Sequence, residues 1–144
     1  MRIAEVLSSK GDAVVSVPPE CDVAGLLAVL AEHGIGAVVV SSDGKTVEGI
    51  VSERDVVRAL GLRGASVLQE TVQQICTVEV HTVGPDGKLD DLMQVMTEQR
   101  IRHVPVVVDG ELRGIVSIGD VVKRRMGELE QERSALTDYI TTGG

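Results

Sequence analysis

Hydrophobic and polar positions along the chain form two similar segments, one in each half. Each half has four apolar residues at i, i+3, i+4 and i+7, which is the spacing of one face of a helix. They are Val23, Leu26, Leu27 and Leu30 in the first half, and Leu89, Leu92, Met93 and Met96 in the second. The offset from Val23 to Leu89 is 66 residues, so the pattern predicts an internal repeat of one structural unit.

The first unit is predicted to have the order β-α-β-β-α. A β-branched run at 13–17 stops at Pro18-Pro19, because proline cannot continue a strand ladder. Asp43-Gly44 provides a turn between two apolar runs, which predicts a hairpin. The predicted elements are a strand at 13–17, a helix at 22–34, strands at 37–40 and 47–51, and a helix that begins at Ser52 and ends near Gly61 or Gly64.

The second unit is predicted to repeat this order. Its elements are a strand at 80–83, a helix starting at 89, strands at 104–108 and 112–116 joined at Asp109-Gly110, and a long last helix. The apolar turn at 1–7 is expected to pack on a neighbouring unit, and residues 65–77 form a linker with a small helix. We therefore divide the chain into a first unit at 1–65, the linker and second unit at 66–126, and a helical extension at 127–144.

A nine-residue motif occurs once in each unit. The segments 49–57 and 114–122 match at seven of nine positions, 65 residues apart, and each carries Ser and Asp three residues apart. Serine at a strand-to-helix junction with an acid three residues later forms a helix capping box. The same junction presents backbone N–H groups and the positive end of a helix dipole, which suits phosphate. The motif therefore has two interpretations, a helix cap or a ligand site, and one residue set can serve both.

Composition and charge narrow the classes of function. Apolar residues make up 43% of the chain but aromatic residues only 1%, with Tyr139 the single member. This argues against modules that stack bases on aromatic side chains. The net charge of −8 argues further against nucleic acid. No apolar run approaches the roughly 20 residues of a membrane span, and no signal peptide is evident at 1–12, so a cytoplasmic location without membrane contact is expected.

Metal binding and cysteine chemistry are not indicated by the sequence. Cys21 and Cys76 occupy different places in the repeat and form no Cys-x-x-Cys pair, so two reduced thiols are expected. The three histidines, His33, His81 and His103, are scattered, whereas zinc requires clustered ligands.

The doubled motif resembles the tandem CBS domain pair, or Bateman module, a family named after cystathionine β-synthase. Two further stretches match the family: 74–77, where the family usually has Met before Thr, and Arg102 to Val106. The resemblance covers about 1–126 and implies a mixed α+β fold (α/β by some schemes). It also implies that the two β-α-β-β-α units pack about a pseudo-twofold axis, with two clefts between them that often hold adenosyl ligands.

The resemblance also implies roles for particular residues. The motif Asp takes the ribose hydroxyls and the motif Ser takes phosphate. The second site would comprise Ser117 and Asp120, with Arg102 and His103 as cations, and Ile35, Gly36 and backbone near Val15 as its other wall. The first site would comprise Ser52 and Asp55, facing Ile101, Arg102 and the stretch from Thr77 to His81, with Arg54 as a further candidate. Because the first unit has Gly36-Ala37 where the second has Arg102-His103, the Asp120 site is expected to fill first. His103 has a second interpretation, as a near-core histidine.

The resemblance favours a stand-alone regulatory sensor, in signal transduction, that binds an adenine nucleotide and acts on an unknown protein target. The alternatives are an enzyme acting on a nucleotide, for which no catalytic constellation is evident, and a structural scaffold with empty clefts. No cofactor is expected to be required. Cations near the phosphate position favour AMP, ADP, ATP or NAD(H) over S-adenosylmethionine.

The last helix carries an apolar stripe with no covering segment in the sequence. Met126, Leu129, Leu136 and Ile140 recur at intervals of three and four residues, with Arg133 in the gap. Such a face usually packs against another chain, so a homodimer with this helix at the interface is expected.

Overall fold

Helices and strands alternate along the chain in the computed structural model, which describes residues 1–10 and 14–142. The first part comprises α1 (Ile3–Lys10), β1 (Ser16–Val17), α2 (Val23–His33), β2 (Ala37–Val40), β3 (Gly49–Ser52) and α3 (Glu53–Arg63). A 3-10 helix (Ala65–Gln69) and α4 (Val72–Ile75) follow. The rest comprises α5 (Leu89–Gln99), β4 (His103–Val108), β5 (Glu111–Ser117) and α6 (Ile118–Thr142). No helix among these residues is both long and apolar enough to cross a bilayer.

The strands form two small sheets, one in each unit. In the first sheet β1 runs parallel to β2, and β2 is antiparallel to β3. In the second sheet β4 and β5 form an antiparallel pair. The predicted order of strands and helices in the first unit is therefore confirmed. The predicted strand at 13–17 is shorter, since β1 is Ser16–Val17 and the predicted start at Ala13 lies outside the described residues.

The predicted strand at 80–83 is wrong. Only Val83 pairs with the second sheet, through one parallel bridge to Val106. Its N–H donates to Pro105 O at 3.1 Å and its carbonyl accepts from Val107 N at 2.9 Å. Gly84-Pro85 follow at once, and proline lacks the N–H that the next ladder step requires.

The two hairpins differ in the loop that joins their strands. The predicted turn at Asp109-Gly110 is confirmed, and both residues have positive φ, 52° and 79°, as a type I′ turn requires. The predicted tight turn at Asp43-Gly44 is instead part of a longer loop. Asp43 Oδ1 there accepts from the N–H groups of Lys45 and Thr46 at 2.8 and 2.7 Å, so β3 begins at Gly49 and not at 47.

Helices α2 and α5 end in the same backbone conformation with different residues. The residue after α2 is Gly34, with φ 63°, and its N–H donates to Leu30 O. The equivalent residue after α5 is Arg100, with φ 55°, and its N–H donates to Met96 O. Glycine adopts this left-handed conformation at little cost, whereas any residue with a Cβ is strained there. Arg100 is therefore an unusual choice for this position.

Each unit has its own hydrophobic core, separate from that of the other unit. The first core contains Leu26, Val38 and Val51, and also Val67 and Val72 from the linker. The second contains Leu89, Leu92 and Val116, and also Ile3 and Val6 from α1. The N-terminal helix thus packs on the distant second unit, as expected for a segment that needs a neighbour to bury its apolar face.

Candidate functional site

The Ser52–Asp55 pair lies at the junction of β3 and α3 and forms a capping box. Asp55 Oδ2 accepts from Ser52 N at 2.8 Å and from Ser52 Oγ at 3.1 Å, and Asp55 N donates back to Ser52 Oγ at 3.4 Å. Both of these bonds to the carboxylate end on Oδ2. Within the described part of the chain Oδ1 has no hydrogen-bond partner, so it is available to a ligand hydroxyl.

This pair opens onto a cleft of about 410 Å³ between the two units. The first unit contributes the end of β3, the start of α3 and the Gly36–Ala37 turn, and the second unit contributes the loop between α5 and β4. The lining residues are Gly36, Ala37, Ile50, Ser52, Glu53, Arg54, Asp55, Arg58, Thr77, Glu79, Val80, His81, Gln99, Arg100, Ile101, Arg102 and His103.

The structure brings together the residues that the sequence predicts for the first site. Ser52 and Asp55 face Ile101, Arg102 and the stretch from Thr77 to His81 across the cleft. Arg54, whose direction the sequence could not decide, also lines it. Residues of both units line the cleft, so a molecule bound in it would contact both units.

The Ser117–Asp120 pair forms the same backbone arrangement but has an additional partner. Ser117 N donates to Asp120 Oδ2 at 2.9 Å, and Asp120 N donates to Ser117 Oγ at 3.1 Å. Lys10 Nζ, at the end of α1, also donates to Asp120 Oδ2 at 2.7 Å and to Ile115 O at 2.8 Å. Burial alone would raise the pKa of Asp120, but the hydrogen bonds from Lys10 and Ser117 hold it below its usual range.

The surroundings of Asp120 differ from those predicted for the second site. Asp120 lines a cleft of about 400 Å³ formed by α1 and α6, with Ser9 and Lys10 on its other side. The predicted other wall lies elsewhere: Gly36 lines the first cleft, while Val15 and Ile35 pack against the first core. Packing of α1 on the second unit is the physical reason, because it brings Lys10 to Asp120.

Arg102 was predicted for both sites and His103 for the Asp120 site, and both line the first cleft. The charge of Asp120 also acts on His103. His103 is also paired with Ser117 across β4 and β5, so the start of β4 lies between the two motifs. A Cβ on Gly36 would lie 3.7 Å from His103 Cε1 and 3.3 Å from Glu53 Oε1. Gly36 therefore lies beside the histidine ring, and a Cβ there would crowd only the flexible carboxylate of Glu53.

The pKa of His103 is lowered by its surroundings. Burial lowers the pKa of His103 below its usual range, and the charges of Lys10 and Arg102 act in the same direction against the opposing pull of Asp120 and Glu53. The lowered pKa favours the neutral form of this half-buried imidazole, in which one ring nitrogen donates a hydrogen bond and the other accepts one. The role of His103 as a phosphate-binding cation stays a prediction, while its burial agrees with the near-core interpretation.

The lowered pKa of His103 predicts a pH dependence of folding stability. The unfolded chain binds a proton at this histidine near pH 6.5, and the folded chain binds it only at lower pH. Stability present above that value is therefore lost as pH falls below about 6.5. In thermal unfolding between pH 7.5 and 5.5, we expect Tm to fall more steeply for the wild type than for His103→Gln. Parallel curves would contradict the lowered pKa.

Several residues that line these clefts escaped the sequence analysis, among them Arg58, Arg100 and Lys10. Arg58 lies one turn after Arg54 on α3, and this i, i+4 spacing was a readable signal. Arg100 stands where the first unit has Gly34, which a comparison of the two repeats shows directly. Lys10 had no such signal, because its contact with Asp120 joins residues 110 positions apart.

The thiols and the histidines give no metal site in the part of the chain that the structure describes. Cys21 and Cys76 are both free, and burial raises the pKa of each thiol. No group of three or more His, Cys, Asp or Glu side chains among the described residues is placed to hold a metal ion.

Comparison with known proteins identifies both halves of the chain. A family model described as the CBS domain matches residues 3–62 and 72–127. Among curated relatives, a CBS domain-containing protein of Arabidopsis thaliana described as mitochondrial is 40% identical over 118 residues, which span 79% of this chain and 57% of that protein. The chain thus spans little more than half of this relative's length, and the match to a Thermofilum pendens protein spans 33% of that protein.

Two solved structures resemble the whole fold. A CBS-domain containing protein from Agrobacterium tumefaciens is 44% identical with a TM-score of 0.84, over 87% of this chain and 99% of that one. A CBS domain protein from Pyrobaculum aerophilum, solved in complex with AMP, is 31% identical with a TM-score of 0.74, over 83% of this chain and 89% of that one.

Proposed function

The chain belongs to the CBS domain family, and from this premise we propose that it is a regulatory module that binds an adenine nucleotide. The site is the 410 Å³ cleft between its units. The observation that carries the proposal is the open Oδ1 of Asp55, since Oδ2 alone forms the cap to Ser52. A carboxylate with a free oxygen can accept from the ribose hydroxyls, as acidic residues do in other nucleotide-binding folds.

The arginines of the cleft and one similar protein of known structure support a ligand that carries phosphate. Arg54 and Arg102 reach the cleft from opposite units, and arginine binds phosphate oxygens through paired N–H groups. The Pyrobaculum relative was solved with AMP. AMP, ADP, ATP and NAD(H) therefore remain the proposed ligands, and S-adenosylmethionine, which lacks phosphate, is less favoured.

Direct binding measurements test this proposal. Native mass spectrometry of the purified chain identifies any ligand retained from the cell. Isothermal titration with adenosine, AMP, ADP, ATP, NAD and S-adenosylmethionine then ranks the candidates. We expect at least one adenine nucleotide to bind with one molecule per chain, and no thermal shift with any adenosyl compound would leave the structural scaffold as the better description.

A regulatory role is favoured over an enzyme. The cleft contains no nucleophile paired with a base and oriented by a third group, as covalent catalysis requires, among the residues that line it. Incubation of ATP or NADH with the purified chain, followed by chromatography, separates the two classes. Unchanged nucleotide is expected. The protein target of the regulation stays unidentified, and the cytoplasmic location stays a prediction.

We further propose that the chain forms a homodimer through α6. Every residue from 129 to 141 is exposed, so about 20 Å of helix extends beyond the two units. Its apolar residues include Met126, Leu129, Leu136 and Ile140, which are 53–72% exposed. Their spacing of three and four residues is that of a two-stranded coiled coil. A helical segment this short is marginal alone in water, and a second copy of α6 would cover the stripe.

Introducing a charge into the stripe tests the homodimer. We expect Leu136→Asp to weaken self-association by at least about tenfold, because it would bury an unpaired carboxylate in the helix pair. Sedimentation equilibrium measures the change. Ser134→Asp adds the same charge on the opposite face of α6 and should leave association unchanged. If Leu136→Asp, or a chain ending at Arg125, dimerises as strongly as the wild type, α6 does not form the dimer interface.

A further inference from the structure

Four arginines line the cleft between the units, two from each side. Arg54 and Arg58 project from the first two turns of α3, and Arg100 and Arg102 flank the turn between α5 and β4. The cleft also contains the carboxylates of Glu53, Asp55 and Glu79. Even so, the cleft has more positive than negative charges, in a chain whose net charge is −8.

None of these four arginines forms an ion pair within the described part of the chain. The chain has 22 Asp and Glu residues, and five arginines outside the cleft do pair with carboxylates: Arg2, Arg63, Arg113, Arg124 and Arg125. Unpaired like charges in one concave surface repel one another and attract anions. Their charge is therefore left for a ligand.

Arg100 occupies a strained backbone position to reach this cleft. Its φ is 55°, in the left-handed region, whereas the equivalent residue of the first unit is Gly34 with φ 63°. Glycine at position 100 would remove that strain. Strained residues concentrate at binding sites, where the side chain has a use that compensates for the backbone conformation.

The cations beside the second Ser/Asp pair are fewer and mostly paired: Lys10, Lys123 and Arg124 line its cleft, but Lys10 pairs with Asp120 and Arg124 with Glu5. The repeat offsets of 65 and 66 residues place Gly119, Lys123, Gly34 and Gly36 at the positions equivalent to Arg54, Arg58, Arg100 and Arg102. Of these four equivalent positions only Lys123 is basic, and Lys10 donates a hydrogen bond to the Asp120 carboxylate. The two clefts therefore differ in the type and pairing of their cations, with four arginines outside any ion pair in the first, although their motifs match.

We propose that the first cleft selects nucleotides that carry a pyrophosphate linkage, which deepens the nucleotide-binding function proposed above and rests on it. A single phosphate group offers three terminal oxygens, and each guanidinium has five N–H donors in a fixed fork. Four arginines that line one cleft from two units, each able to donate two N–H groups, therefore offer more hydrogen bonds than the terminal oxygens of one phosphate accept. A diphosphate or longer chain supplies acceptors to both pairs at once and lies between the units.

The proposed preference for a pyrophosphate linkage is tested by measuring ligand affinities at one ionic strength, with EDTA present to remove divalent metal ions. The probes are adenosine, AMP, ADP, ATP, NAD and inorganic pyrophosphate, titrated by calorimetry. We expect ADP and ATP to bind at least about tenfold more tightly than AMP, because they reach additional arginines. NAD, whose pyrophosphate has no terminal phosphate, distinguishes a dinucleotide from a nucleoside polyphosphate.

Variants of Arg100 separate the charge from the backbone strain. In Arg100→Gly the relief of strain and the flexibility of glycine nearly cancel, so Tm should stay within about 3 °C of the wild type. Arg100→Gln keeps the strain and loses the charge. Both should weaken ADP binding by about tenfold and adenosine binding much less. Arg113→Gln removes an arginine outside the cleft and should change neither.

The possible outcomes separate a failure of the pyrophosphate preference from a failure of the nucleotide-binding function on which it rests. AMP binding as tightly as ADP, or unchanged ADP affinity in both Arg100 variants, would overturn the pyrophosphate selection and leave nucleotide binding intact. Binding of pyrophosphate that depends on Arg100, without binding of any adenosyl compound, would uphold the selection and overturn the adenine assignment. Absence of all binding would overturn both.

Discussion

Replacing Asp55 by alanine is expected to weaken adenine-nucleotide binding by about a hundredfold or more. The carboxylate would accept from two ribose hydroxyls, and each hydrogen bond to a charged group contributes about 1.5–3 kcal/mol. Asp55 also caps α3 through Ser52, so the substitution should cost about 1 kcal/mol of stability as well. Calorimetric titration of a chain shown to be folded by circular dichroism measures the loss.

Two companion variants make this result specific. Asp55→Asn keeps an oxygen for the cap and removes the charge, so it should retain stability and still weaken binding. Asp120→Ala is the matched control in the second motif. Because Lys10 already holds that carboxylate, the control should leave nucleotide affinity within about threefold of the wild type. Loss of binding in Asp120→Ala with retention in Asp55→Ala would place the ligand at the second motif, as the sequence alone suggested.

Lys10 does not close the second motif permanently. Its ion pair with Asp120 has side chains that are 36% and 25% exposed, and exposed pairs of this kind contribute at most about 1 kcal/mol. A ligand with a strong interaction at Asp120 could displace it. We therefore expect the second motif to be the weaker site, because Lys10 already pairs with Asp120 and Arg124 in the same cleft pairs with Glu5.

The second large effect is expected at the N-terminal helix. Ile3→Ala should lower the free energy of unfolding by about 2–5 kcal/mol, because Ile3 is only 1% exposed and lies in the second core with Leu89 and Leu92. The helix start is also joined to the second unit, where Ile3 N donates to Gly87 O and Ala4 N to Pro85 O, both at 2.9 Å. Urea denaturation followed by circular dichroism measures the change.

A matched control uses an apolar side chain of similar size on the surface. Leu62 is 86% exposed, so Leu62→Ala should change stability by less than about 0.5 kcal/mol. A similarly small effect of Ile3→Ala would mean that α1 does not belong to the second core. It would also remove the reason for Lys10 to lie at Asp120.

A ligand in the first cleft would couple the two units. Its contacts would join α3 of one unit to the turn between α5 and β4 of the other, and binding to the folded state alone raises stability by mass action. The units have separate cores, joined elsewhere by contacts such as the hydrogen bond from Leu112 N to Lys45 O at 2.6 Å. A ligand bound in this cleft would therefore change how firmly the two units are held together, and a regulatory module could transmit that change.

Much of the fold could be predicted because it depends on residues close together in sequence. The apolar spacing of α2 and α5, the caps at Asp22 and Ser52, and the turn at Asp109-Gly110 are local features. The repeat then identified the family, and the family predicted the residues of the first cleft. The strand at 80–83 failed because a single apolar run cannot show that only Val83 has a partner.

The sequence by itself determined the two units and the Ser/Asp motif in each. Only the tertiary structure decided that α1 packs on the distant second unit, that Lys10 reaches Asp120, and that His103 is half-buried with a lowered pKa. It also showed that Arg58 and Arg100 line the cleft of Asp55 together with Arg54 and Arg102. Periodicity and capping encode contacts within a few residues, whereas these contacts join residues that lie far apart in sequence, and they form only when the two units pack together.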